Sequence, residues 1–517
     1  MQRKQLTLVI VSLLVVVLSV SLAYFTAQII GKGKDVSVTS ANLQIVFTDS
    51  DGALTETDIE PGWSATKTFT IKNDTKTEYK YNIVIKDLLN TFVTNGYLQY
   101  KITSTNGGYN MTEFKDIPKS SAPKDTILAY SVVIPNGVTQ SYTIEFKYAN
   151  DESVDQSEDM GKKLSGTLFI TEGTEDIYAG YEEGTLGYQI MGDNPTRSTR
   201  SNNNNGTNDF ATPLTTTTTG TLFTSTESIT GITDSPKEVY YYAGNTTNNW
   251  VKFANLYWRI IRTNHDSSIR LLYVGTSHDT TTGNIGTSLF NQNYDGPKYV
   301  GYKYGEDTSL DTIRNNTTDS TIKTFIDSWY QNNLTNYTKY LSTSAVYCND
   351  RSLGTGQTYS ASSDSEFNFA PYYRMDYGTG GAKANPSYNC TDIRDAFSAE
   401  NTSAKLTYPV SLMTADEIAF AGGVAATTMN TPYAWFISNS AGTQVSTSWW
   451  SLSPSVWGFG NAHVWRWNSD VACLNYNSVD LTDAVRPAIS LKSCIKYSTG
   501  DGTSESPYEI VETSSGC

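Results

Sequence analysis

Val251-Lys252-Phe253-Ala254-Asn255-Leu256-Tyr257-Trp258-Arg259-Ile260-Ile261-Arg262 is the stretch that decides the fold of the larger part of the chain. Dense in β-branched and aromatic residues, it reads as a hairpin of buried strands. Downstream, Ser320 to Leu334 has helical spacing, with Ile322, Phe325, Ile326, Trp329 and Tyr330 at i, i+3, i+4, i+7 and i+8. Thr414-Ala415-Asp416-Glu417 has the spacing of a capping box, and Gly422-Gly423 stops the helix it opens. Strands, helices and long loops thus mix across residues 214–517, which predicts an α+β domain there.

Near the end of this region the aromatic content rises. Trp449, Trp450, Trp457, Trp465 and Trp467 are five of the ten tryptophans, and Phe459, His463 and Tyr476 lie among them. Asn461, Asn468, Asn475 and Asn477 interleave with the rings, while Gly458 and Gly460 loosen the backbone. Rigid aromatics with adaptable amides are the materials of a recognition surface, since they offer contact area at low entropic cost. Trp449, Trp450 and Leu452 read as one strand entering the interior. Trp457 to Asn461, set among Gly and Ser, read as an exposed loop. The expectation is that Trp457, Phe459, Tyr476 and Asn477 stand exposed on one face, with Trp258, Trp450, Leu452 and Ile489 buried beneath it.

Upstream, Ser201-Asn202-Asn203-Asn204-Asn205-Gly206 and Thr215 to Thr219 are polar runs of low complexity. Residues 173–213 therefore read as a flexible spacer holding one short ordered piece, Leu186 to Met191. Before it, residues 35–172 alternate. Thr66-Lys67-Thr68-Phe69-Thr70-Ile71-Lys72, Tyr79-Lys80-Tyr81-Asn82-Ile83-Val84-Ile85 and Tyr142-Thr143-Ile144-Glu145-Phe146-Lys147-Tyr148 keep a period of two. Turn clusters such as Asn106-Gly107-Gly108 and Pro135-Asn136-Gly137 separate such runs, so an all-β sandwich is expected.

Arg3 and Lys4 precede an uncharged run from Leu6 to Ile30. Residues 1–30 read either as a cleaved signal peptide, with Ser21-Leu22-Ala23 near the cleavage point, or as a single membrane anchor. In both cases the rest is exported to the outer face of the membrane, the cell surface or the medium. The five cysteines then read as disulfides, Cys348 with Cys390 and Cys494 with Cys517, which leaves Cys473 free. With three His and no CxxC pair, neither a metal site nor a cofactor is expected. A net charge of −15 without a basic stripe argues against nucleic acid as a partner.

Two resemblances accompany these readings. Ala23-Tyr24-Phe25-Thr26, Ala41-Asn42-Leu43, Ile59-Glu60-Pro61-Gly62 and Phe69-Thr70-Ile71-Lys72-Asn73 resemble the camelysin and biofilm-fibre (TasA-like) family over about residues 1–172. That likeness implies a special signal peptide, a jelly-roll-like sandwich and self-assembly when an N-terminal strand completes a neighbour's sheet. Tyr257-Trp258-Arg259-Ile260-Ile261, Cys348-Asn349-Asp350-Arg351-Ser352, Ser451-Leu452-Ser453-Pro454, Asn468-Ser469-Asp470, Val485-Arg486-Pro487-Ala488-Ile489-Ser490-Leu491 and Gly500-Asp501-Gly502-Thr503 resemble bacterial surface proteins with a C-type-lectin fold of the formylglycine-generating-enzyme type. The variable proteins of diversity-generating retroelements share it. The likeness implies a ligand-binding face within about residues 449–491, for which Trp457, Phe459, Asn461, His463, Trp465, Trp467, Asn475, Tyr476, Asn477, Asp480 and Asp483 are the candidates.

The chain departs from the catalytic and calcium-dependent members of that fold. Cys473 has no cysteine within twenty residues, and Trp467-Asn468 is followed by Ser469 before Asp470, with no Glu-Pro-Asn. No Ser/His/Asp order and no Gly-rich phosphate loop after a strand is recognisable, and Asp416 and Glu417, adjacent on a helix, point apart. The expected function is an adhesin or receptor-like binder of a protein or glycan on another cell, host or phage, rather than an enzyme. A fibre or biofilm-matrix subunit is the alternative, and an enzyme of the lectin-type fold the remote one.

Overall fold

The computed structural model describes residues 25–31, 36–40, 43–49, 54–74, 77–94, 96–173, 178–202 and 207–517. The chain divides into two compact units, Met1–Ala179 and Gly180–Cys517, and both are rich in β-structure.

In the first unit, a five-stranded sheet runs in the order Leu54–Ile59, Phe25–Gly31, Lys163–Glu172, Tyr79–Asn90, Ser120–Ile134. A six-stranded sheet runs Val36–Ser40, Leu43–Asp49, Ser64–Asn73, Thr139–Tyr148, Leu98–Ser104, Lys115–Asp116. The alternation in the sequence is the cause. In Ser64–Asn73 the side chains of Lys67, Phe69, Ile71 and Asn73 turn inward, and register places Phe69 beside Tyr142, the two rings stacked at 4.9 Å. Phe69, Ile71, Ile144 and Phe146 of one sheet share a core with Ile83, Ile85, Leu168 and Ile170 of the other. Each such side chain contributes about 1.5–3 kcal/mol by leaving water. The polar groups inside are mostly amides and hydroxyls with partners: Tyr81 donates to Gln140 Oε1 at 2.5 Å, and Asn73 Nδ2 to the Ile134 carbonyl at 3.0 Å.

Residues 1–24 of the segment read as a leader or anchor lie outside the described residues. Phe25–Gly31, which includes the end of that segment, is not helical. It is a strand paired in parallel with Lys163–Glu172 and antiparallel with Leu54–Ile59. Thr26 and Gln28 alternate with Phe25, Ala27 and Ile29 at a period of two, which suits a strand. Among the described residues, no helix is long and apolar enough to cross a membrane.

The spacer reading is also corrected. From Gly180 the chain belongs to the second unit. Thr185 caps the helix Leu186–Asp193, and Thr196–Thr199 pairs in parallel with Thr221–Glu227. Leu186 N donates to the Ile495 carbonyl at 2.8 Å, Tyr508 Oη to Asp193 at 2.8 Å, and Arg200 Nη1 to the Phe420 carbonyl at 2.7 Å. Phe210 meets Phe420 edge-on at 5.4 Å. Residues 203–206 lie outside the described residues. The sequence pattern misleads because polar residues here bond the backbone of distant loops: Asn202 Nδ2 reaches the Ala384 carbonyl at 3.0 Å.

The second unit holds a ten-stranded and a six-stranded sheet. The opening hairpin of the larger is Trp250–Phe253 with Leu256–Thr263, closed by Ala254 and Asn255 at positive φ. Ile269–Gly275 and Pro487–Leu491 extend it. The helix Thr321–Asn333 is capped by Ser320, and Thr414 and Glu417 complete the capping box of Ala415–Ala421. Trp258, Trp450, Leu452 and Ile489 are all buried. Charges are buried as well. Glu417 accepts from Arg262 Nε at 2.8 Å and Arg270 Nη1 at 2.6 Å, Arg262 reaches Glu227 at 2.9 Å, and Arg351 and Arg314 share Asp395. Arg374 pairs with Asp350 and Asp416. Cys348–Cys390 and Cys494–Cys517 are bonded, with Cα atoms 5.8 and 5.6 Å apart, and Cys473 is free and buried. Two such bonds fit an oxidising compartment.

Candidate binding face

The six-stranded sheet carries the aromatic run. Its strands are Thr287–Leu289, Thr482–Ala484, Trp449–Gly458, Asn461–Asn468 and Cys473–Ser478 in that order, with Phe367–Asn368 also joined to Trp449–Gly458. Period-two alternation splits the side chains between two faces. Register sets Trp449 beside Trp467, Trp465 beside Tyr476 and His463 beside Ser478 on one face. Trp450, Arg466 and Asn475 fall on the other.

Trp457, expected in an exposed loop, is fully buried in the strand Trp449–Gly458. Its indole N–H donates to the Ser362 carbonyl at 3.1 Å, and Phe367 pairs with it. The glycines around it are those of the turn that follows, not of a loop. Trp465 and Trp467 are buried too, against the expectation of exposure. Trp467 meets Phe436 edge-on at 4.9 Å, and Tyr372 and Tyr377 cover Trp465 at 6.3 and 5.8 Å. Asp483 is buried because Arg466 Nη1 engages both its carboxylate oxygens, at 2.9 and 3.1 Å. Asn477 Nδ2 approaches the same carboxylate at 3.3 Å. Burial raises the Asp483 carboxyl, and Arg466 opposes that rise.

Phe459 behaves as expected. It is 87% exposed at the tip of the hairpin that joins Trp449–Gly458 to Asn461–Asn468. Phe459 and Gly460 have φ of +57° and +73°, the two left-handed residues of a tight hairpin turn. A left-handed phenylalanine is unusual, since Asn, Asp or Gly adopt that conformation at lower cost. The turn aims the ring into water. Asn461, His463, Asn475, Tyr476, Asn477 and Asp480 are half-buried, so Tyr476 and Asn477 fall short of the exposure expected of them.

The sequence reading missed the partners of this face. Ala370–Met375 and the turn after it bring Tyr372 and Tyr377 onto Trp465 and Tyr476, and Tyr377 lies 4.9 Å from Tyr476. All six pairs among these four rings fall between 4.9 and 6.3 Å, and His463 meets Tyr476 edge-on at 5.5 Å. Tyr377 Oη donates to Asn475 Oδ1 at 3.2 Å, and Tyr373 is exposed nearby in sequence. Pro371-Tyr372-Tyr373 with Tyr377 was the available signal: three tyrosines in six residues, too polar at the tip for an ordinary core helix. Burial raises the Tyr372 and Tyr377 phenols and lowers His463, so these groups are neutral near pH 7. The cluster is closed, with rings packed on one another, and it offers ring edges, phenols and amides rather than a cavity.

Asp416 and Glu417 do point apart, Asp416 to Arg374 and Glu417 to Arg262 and Arg270. Burial raises the Cys473 thiol, which makes it a poor nucleophile.

No protein-family model and no curated protein matches the chain. A solved structure of AvmM, described as catalysing macrocyclization in alchivemycin A biosynthesis, aligns at 9% identity over 28% of this chain and 97% of that one, with a TM-score of 0.15. A score that low carries no argument about fold or activity.

Proposed function

We propose that the chain is a cell-surface adhesin or receptor-like binder, whose second unit has the C-type-lectin fold and presents Tyr476, His463 and Phe459 to a protein or glycan on another cell, host or phage. The observation that carries this reading is Phe459, held 87% exposed in a left-handed turn of the same sheet that carries half-buried His463 and Tyr476. An aromatic ring held out into water by a fixed turn offers rigid contact area at low entropic cost. Support for export comes from the two disulfides. The test is adhesion of beads coated with the protein to candidate cells and glycan arrays. Phe459→Ala and Tyr476→Ala should each weaken retention by about 2 kcal/mol, roughly thirtyfold, with the fold intact. Unchanged retention in both variants rejects this face.

A fibre subunit is the second reading, and one observation favours it. Phe25–Gly31 lies inside the five-stranded sheet and is parallel to Lys163–Glu172, so no hairpin ties it to that neighbour. A jelly-roll-like first unit could accept the same strand from another copy. Removal of residues 1–31 should then abolish polymers while leaving adhesion to targets unchanged, as read by electron microscopy and the bead assay.

A further inference from the structure

An open cleft of about 560 Å³ lies between the strand Thr287–Leu289, the loop that follows it, the short hairpin Lys303–Tyr304 with Thr318–Asp319, and the first turns of Thr321–Asn333. A volume of a few hundred Å³ is the size of a small-molecule site. None of the aromatic-face residues named above lines it.

Three features define what it would accept. First, it has aromatic walls. Phe325 lies against Gly286, where a Cβ would come within 3.1 Å of the ring and where φ is +124°, so glycine is what lets the ring seat there. Tyr304 also lines it, braced edge-on by Tyr299 at 5.3 Å. Second, it has amides. Asn291 is buried at its floor, and Gln292 and Asn293 are exposed at its rim. The rim is fixed rather than loose: Gln292 N donates to Thr321 Oγ1 at 2.9 Å, and Asn291 N to the Val479 carbonyl at 2.9 Å. Third, its charge is cancelled. Asp319, the carboxylate of the lining, pairs with both Lys303 and Lys323 at 3.2 Å, and Lys323 also takes Asp327 at 2.5 Å.

An anion finds no unspent cation here, and a cation no unspent carboxylate. An apolar ligand would strip water from the Gln292 and Asn293 amides and return no hydrogen bond. A neutral ring with hydroxyls on its rim and an apolar face satisfies all three features, because hydroxyls meet the amides while C–H groups lie on the rings. We propose that this cleft is a separate binding site for a neutral carbohydrate, a hexose or an N-acetylhexosamine unit.

Saturation-transfer NMR on the full chain, with glucose, galactose and N-acetylglucosamine as separate probes, tests this. At least one sugar should receive saturation. Its affinity should fall on the order of tenfold in the double variant Gln292→Ala/Asn293→Ala, as two net hydrogen bonds are lost. Both residues are exposed, so the fold survives the change. Phe325→Leu should weaken the same sugar, and Phe459→Ala should leave it unchanged. No transfer to any of the three sugars overturns the proposal. So does transfer that the double variant leaves intact, or transfer lost in Phe459→Ala, which would move the sugar to the aromatic face.

Discussion

The two units solve burial differently. The first closes two sheets on a core of Ile, Leu, Phe and Tyr, and its inner polar groups are mainly amides and hydroxyls such as Asn73, Gln140 and Tyr81. The second threads charge through its interior. Arg262, Arg270, Arg314 and Arg351 are all buried and all paired, while Arg259 and Arg486 are buried with carbonyl and amide partners. A core of the first kind gains stability additively and tolerates small changes of shape. A core of the second kind is intolerant, because each partner removed leaves a charge stranded in low dielectric. All five cysteines also lie in the second unit.

The largest effect that would break this contrast is in the boundary itself. A chain beginning at Gly180 should fold, since it keeps Leu186–Asp193 and Thr196–Thr199. One beginning at Leu214 should fail to give a cooperative melt, because Tyr508, Ile495 and Phe420 lose their partners. A cooperative transition from the shorter chain would restore the spacer. Next in size is Glu417→Ala, which strands Arg270 and leaves Arg262 with Glu227 alone. It should cost about 3–5 kcal/mol in the second unit's denaturation midpoint and leave the first unit's unchanged.

Acid sharpens the comparison further. Burial alone would raise Glu417, but Arg270 and Arg262 more than offset it and hold the carboxyl below its ordinary 4.5. Glu227, through Arg262 and His265, and Asp350, through Arg374, are likewise held down against burial. A carboxyl whose folded value lies below its unfolded one contributes stability that is complete above the unfolded value and lost as pH falls through the folded one. The second unit should therefore lose melting temperature progressively below about pH 4.5. Asp307, Asp327, Asp395 and Asp483, raised by burial, subtract from the effect. In the first unit Asp151 and Asp155 are lowered by hydrogen bonds from Ser153 and Ser157 at the surface, a weaker dependence. Equal acid slopes for both units in a calorimetric series would remove the contrast. The smallest effect is at the hairpin tip: Phe459→Asn should raise stability by at most ~1 kcal/mol, since Asn enters the left-handed region more readily.

Local patterns were legible where the local pattern is the cause. The runs through Phe69, Ile83 and Tyr142 became strands, Ser320 became a cap, and Thr414 and Glu417 closed their box. Both disulfides followed from spacing and from an exported reading of the chain. What failed were statements about surroundings. Nothing next to Trp457 announces that Ser362 and Phe367, ninety residues upstream, will cover it. Nothing in Thr185 to Phe210 shows that Ile495, Tyr508 and Phe420 wait for it. Glycine beside an aromatic was taken as exposure, yet in a hairpin the glycine marks the turn while the aromatic three residues earlier is core. Tyr372 and Tyr377 were missed because their meaning lies in Trp465 and Tyr476, on another element.

The bonds that tie the start of the second unit to its end set the order in which it can be made. Gln189 meets Tyr497 across 308 residues and Asp193 meets Tyr508 across 315, so its first helix stays without its partners until nearly the whole unit has been synthesised. Loops of that length close slowly, and contacts so distant in sequence lower the folding rate. Ribosome-bound chains halted before Tyr497 should accordingly remain protease-sensitive from Gly180 onward, while the first unit, whose strands close within Met1–Ala179, is already resistant. The molecule is thus completed in two steps, an early first unit and a late second unit that closes only when its last strands arrive.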